Sequence, residues 1–134
     1  MKILMIDNDG LQLQTRRMLI EAEIDGSIID TVATLGNLHI VFKKGMYDRV
    51  IIDHLIENGD ECIKYILEID PMQPILIVSN AIRCVITQCE YCVHHHNIRR
   101  LSNPTPIRNI IRLVQRFQEY TCDHYDEETN QIHT

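Results

Sequence analysis

Short apolar runs alternate with longer amphipathic stretches along this chain. Five runs have strand length: the start of KILMIDND (residues 2–9), SIIDTV (27–32), DRVIID (48–53), PILIVS (74–79) and the weaker NIRRLS (97–102). Between them the apolar residues fall at helical spacing, which predicts helices from about residue 10 (Leu11, Met18, Leu19, Ala22), over Leu35 to Lys44, Asp60 to Ile69 and Ala81 to Cys92. The last helix is the clearest. Ile107, Ile110, Ile111, Val114 and Phe117 share one face, and Arg108, Arg112 and Arg116 repeat every four residues on another. Strand and helix thus alternate five times, with connections long enough for parallel strands joined by right-handed crossovers. Runs that are continuously apolar, rather than strictly alternating, belong to strands covered on both faces. The expected fold class is α/β, a doubly wound five-stranded parallel sheet of flavodoxin-like form.

Length and composition narrow this further. The 134 residues suit one domain, expected over 1–121, with a polar acidic tail over 122–134 that has little to bury. A hydrophobic content of 45% with 24% charged residues is that of a globular protein, and no apolar run reaches membrane-spanning length. The N-terminus has no small-residue cleavage site after its brief apolar run, which points to the cytoplasm. Five cysteines, an odd number, argue against a disulfide framework. The net charge of −6 is uneven: Asp123, Asp126, Glu127 and Glu128 lie in the tail, and the rest of the chain carries −2. That near-balance gives no reason to expect nucleic-acid binding.

The candidate chemistry lies where strands end. In an open parallel sheet the ligand crevice sits at the carboxyl ends of the strands. This geometry gathers Asp7 and Asp9 after the first strand, Asp53 after the third and Ser79 after the fourth. Packed carboxylates repel and raise one another's pKa unless a cation sits among them, and an all-oxygen set suits a hard ion such as magnesium. A second use of these residues is equally open for Asp9: either it or Asn8, directly before GLQLQTRR, can serve as the N-cap of the following helix.

In register, these motifs resemble the receiver domain of two-component response regulators. KILMIDND is similar to the family's first strand and acidic pair, YDRVIID to the strand ending in its phosphoaccepting aspartate, PILIVSNA to the strand ending in Ser or Thr, and LSNPTP to the turn after the last strand. The likeness covers residues 2 to 121 in the order of all five strands. It implies a (βα)5 receiver in a phosphorelay that accepts a phosphoryl group on Asp53 from a sensor histidine kinase, a phosphotransfer protein or a small phosphodonor. Magnesium would be held by Asp7, Asn8 or Asp9, Asp53 and the backbone carbonyl of Leu55, and Ser79 would hydrogen-bond the phosphoryl oxygens. Such a domain is a phosphoacceptor rather than an enzyme. Its output would pass to an unknown downstream protein through the fourth helix, last strand and last helix, with a homodimer through the 81–117 face as an option.

The chain departs from this pattern in several places. Asn8 removes one charge from the acidic pair. Asn103 stands where the family has a lysine before proline, so the ammonium that would pair with the phosphoryl group is missing; Arg99 and Arg100 are the nearest substitutes. Arg100 also takes the place of the usual aromatic residue, and Glu57 and Glu61 replace the usual proline and glycine of the loop after Asp53. The alternative reading is therefore a pseudo-receiver, a protein-interaction module that works without phosphate. Apart from this site, Cys89 and Cys92 have zinc-knuckle spacing with His94 to His96 close behind, but a single pair fits packing against the sheet better. The arginine stripe fits a solvated face, and His54 neighbours Asp53 in a position from which a side chain ordinarily points away.

Overall fold

The computed structural model describes residues 1–53, 58–79, 97–102 and 106–119. Its elements follow the alternation read from the sequence: β1 (Lys2–Ile6), α1 (Gly10–Glu23), β2 (Ile28–Val32), α2 (Leu35–Val41), β3 (Arg49–Asp53), α3 (Gly59–Ile69), β4 (Ile75–Ser79), β5 (Ile98–Ser102) and α4 (Ile107–Gln115), which runs into a 3-10 turn at Phe117–Glu119. The expected helix over Ala81 to Cys92 and the tail from residue 122 lie outside the described residues, as do Cys89, Cys92 and His94 to His96.

All five strands are parallel, in the order β2-β1-β3-β4-β5. The chain starts in the middle of the sheet, moves outward to β2 and then crosses back past β1 to β3, so the direction of winding reverses between β1 and β3. Helices must then lie on both faces. Side chains of a strand alternate between faces, and the core divides accordingly. Leu4, Ile6, Val50, Ile52, Ile75 and Ile77 pack with α2 and α3 through Leu38, Cys62, Ile63 and Ile66. Ile3, Met5, Ile51, Leu76 and Val78 pack with α1 and α4 through Ile20, Ile110, Val114 and Phe117.

Local chemistry sets the helix ends. The Thr34 hydroxyl accepts from the Asn37 amide and starts α2. That helix stops at Val41, short of the expected Lys44, because Phe42 turns extended to reach the core and the chain reverses over Lys43–Met46 with Gly45 at positive φ. Asn58, also at positive φ, leads into α3, whose first turn carries Asp60 and Glu61 near the positive end of the helix dipole.

Two helices differ in how well their apolar pattern marks the buried face. In α4 and the turn after it the expected stripe is buried from Ile110 to Phe117, with Ile107 partly covered, and Arg108, Arg112 and Arg116 are exposed. In α1 it is not: Leu11 and Met18 are 80% and 66% exposed, and the helix instead buries Ile20, with Leu13 partly covered and Ile24 buried just past its end. Among the described residues no helix is long and apolar enough to cross a membrane.

Candidate functional site

β1 and β3 are neighbours in register, with Ile6 opposite Ile52, so Asp7 and Asp53 leave the sheet side by side. Both carboxylates are buried, at 3% and 8% exposure. Two adjacent buried acids are unfavourable unless their charge is shared or neutralised. Here α1 supplies what they need. The Gln12 side-chain amide donates both of its hydrogens, one to Asp7 Oδ2 at 2.7 Å and one to Asp53 Oδ2 at 3.0 Å. One turn further along the same helix face, Arg16 places Nη1 3.8 Å from Asp7 Oδ2, with its side chain largely covered.

The turn between β1 and α1 explains why Gln12 is free to do this. Asp9 is the N-cap of α1: its Oδ1 accepts from the Gln12 backbone amide at 3.1 Å. With glutamine three residues on, the spacing is that of a capping box, in which the glutamine side chain would bond back to the N-cap amide. That amide is already taken, since Asp9 N donates to Asp7 Oδ1 at 2.8 Å. The Gln12 side chain turns to the two carboxylates instead.

Of the oxygen ligands expected here, Asp7 and Asp53 are brought together, whereas Asn8 and Asp9 are exposed and Asp9 is engaged in capping. Ser79 ends β4 in register with Ser102, one place beyond the Asp53–Val78 pair. Leu55, His54 and Asn103 lie outside the described residues. A pair of carboxylates aimed at one point fits magnesium, which typically takes one or two protein carboxylates and completes its octahedron with water and phosphate oxygens. The Gln12 amide nitrogen occupies that point.

Neither arginine near the last strand is held at the acid pair. Arg99 lies over the Phe117 ring, 4.9 Å from its centre, and Arg49 from the start of β3 lies over the same ring at 5.2 Å. Arg99 is thereby held toward the opposite end of the sheet. Arg100 is buried and by strand alternation shares the face of Ile98, on the α2–α3 side, away from α1.

Neither Gln12 nor Arg16 stands out in the sequence, where acids and hydroxyls carry the recognisable chemistry. The available signal was the Asp9–Gln12 capping-box spacing directly after a strand-end acid. Beside them a groove of ≈ 460 Å³ runs along α1 from Asp9 and Gln12 past Thr15 and Arg16 to Leu19 and Ile107.

No family model and no curated protein matches the sequence. Solved structures do match it. The chain superimposes on a two-component response regulator of the LuxR family from an Aurantimonas species with a TM-score of 0.75 at 15% identity, covering 97% of this chain and 96% of that one. A CheY-like receiver domain protein from Methanospirillum hungatei gives 0.73 at 15% identity, over 88% and 93%. The non-phosphorylated HemR receiver domain from Leptospira biflexa gives 0.70 at 15% identity, over 92% and 98%. The fold is that of a response-regulator receiver domain. Within this fold, α1 sets a glutamine and an arginine against the paired acids.

Proposed function

We propose that this chain works as a phosphorelay receiver, with Asp53 as phosphoacceptor. The observation that carries the reading is the position of Asp53: a carboxylate at the carboxyl end of a central strand, 8% exposed, with Asp7 facing it across a single amide nitrogen. A buried acid pair of this kind adds nothing to packing and is costly to keep. An Asp53 oxygen attacks the phosphorus of a phosphohistidine or small acyl phosphate; the new O–P bond forms as the bond to the donor breaks, and the donor keeps that electron pair. Asp7 and Asp53, with the Leu55 carbonyl, are the residues that would hold magnesium. Held there, magnesium would supply neutralisation of the charge on the transferring group. Ser79 would donate to a phosphoryl oxygen.

The partners on this reading are a histidine kinase or phosphotransfer protein upstream and a separate protein downstream, reached through the face that includes β5 and α4. The test is intact mass after incubation with magnesium and acetyl phosphate. One added phosphoryl group in the parent and none in Asp53→Asn is the expected result. No addition in either would leave binding without phosphate as the better account.

A further inference from the structure

From the geometry of α1 we infer that Gln12 and Arg16 form a built-in cation surrogate, a clamp that holds Asp7 and Asp53 together without metal and that a divalent ion must displace. The proposal rests on the reading of these acids as a magnesium site.

The stoichiometry is the first support. A primary amide has two N–H donors, and each is spent on a different carboxylate, at 2.7 and 3.0 Å. An ion held by the same two carboxylates would need the space that nitrogen now fills. Gln12 and the ion are therefore mutually exclusive. The second support is charge. The amide is neutral, so it satisfies hydrogen bonds without cancelling the two negative charges. Arg16, 3.8 Å from Asp7 Oδ2 and largely covered, brings to Asp7 the positive charge that the amide lacks. Its guanidinium then repels an arriving divalent ion, an effect added to that of Asn8, which contributes no charge to the pair. The third support is room to move: Gln12 itself lines a groove along α1, with Thr15 and Arg16, that can take the amide once it is released.

The clamp has two consequences. The metal-free domain keeps its acid pair assembled, and magnesium affinity is lower than two carboxylates alone would give. Occupation of the site by magnesium therefore also reports the release of α1's first turn.

The test is calorimetric titration of magnesium chloride into the parent, Gln12→Ala, Gln12→Met and Arg16→Gln, with the Gln12 side-chain NH2 resonances followed in nitrogen-15 spectra of the parent. Gln12→Met keeps the length of the side chain and removes only its donors, which guards against a folding defect in Gln12→Ala. Magnesium should bind about tenfold tighter to both Gln12 variants, the scale set by a hydrogen bond to a charged group. Arg16→Gln should also bind tighter, and the NH2 resonances should shift in step with binding. Equal affinities in parent and Gln12 variants, no binding in any of them, or NH2 resonances that stay still as magnesium binds would overturn the clamp. Phosphoryl uptake is a separate readout. Tighter binding without uptake upholds the clamp and defeats the receiver reading; equal affinities with normal uptake do the reverse.

Discussion

At the amino edge of the sheet the amides of Gln73 and Asn97 donate to backbone carbonyls, Gln73 to Tyr47 and Pro74, Asn97 to Gln73 at 2.6 Å. At the carboxyl edge the amide of Gln12 donates to two carboxylates. The first arrangement joins permanent partners: β3, β4 and β5 begin at fixed heights because the residues just before them are tied to one another, and the Tyr47 hydroxyl adds a 2.7 Å bond to Asp30 on β2. The second joins groups that would repel one another. Neutral amide to carbonyl is a bond with no better partner waiting, whereas amide to carboxylate stands in for a stronger one. One edge stabilises the sheet, and the other holds two buried carboxylates together through a single side-chain amide.

The largest test of this contrast is Asp53→Asn, which should remove all phosphoryl uptake while leaving the domain as stable as the parent or more so, since one of two repelling charges is gone. A large loss of stability in urea would show the acid pair to be structural. At the other edge Asn97→Ala should cost about 2 kcal/mol in the same urea experiment, as expected for a buried polar group that loses its partner. Its phosphoryl uptake should be unchanged. Tyr47→Phe sharpens the comparison through pH. Burial, and then the hydrogen bond to Asp30, hold the Tyr47 phenol well above its ordinary value. The unfolded chain therefore loses this proton first, so the parent's stability should fall as pH rises above about 10, and the variant's should fall less steeply. The bond to Asp30 itself should be worth about 1 kcal/mol at neutral pH. The smallest effect is expected of Met18→Lys on the open face of α1, within about 0.5 kcal/mol of the parent, because nothing there is buried. A larger loss would mean that this face is covered in solution.

β1, β3 and β4 were legible as near-continuous apolar runs, the pattern that a parallel sheet covered on both faces demands, whereas β2 and β5, interrupted by Asp30 and by Arg99 and Arg100, were legible through their place in the alternation. Asp7 and Asp53 were legible because they directly follow such runs. The face of α1 was not: Leu11 and Met18 are apolar yet point outward, and what covers the acid pair on that helix is a glutamine and an arginine, residue types that are usually solvated. Asp9 could be read two ways from its position, and the structure uses it as a cap. Where Arg99 lies is something no sequence pattern displays: it sits over the ring of Phe117, a residue distant in sequence.

Because successive residues of each strand serve opposite cores, a one-residue insertion or deletion inside β3 would do more than shift an acid. It would send Ile51 and Ile52 each to the wrong side, and both cores would lose their complement at once. The position of Asp53 is thus inherited from the packing of its neighbours. Drift in length can enter the turns of this chain, but selection for a folded sheet alone is enough to hold the position at which β3 ends, whatever residue stands there.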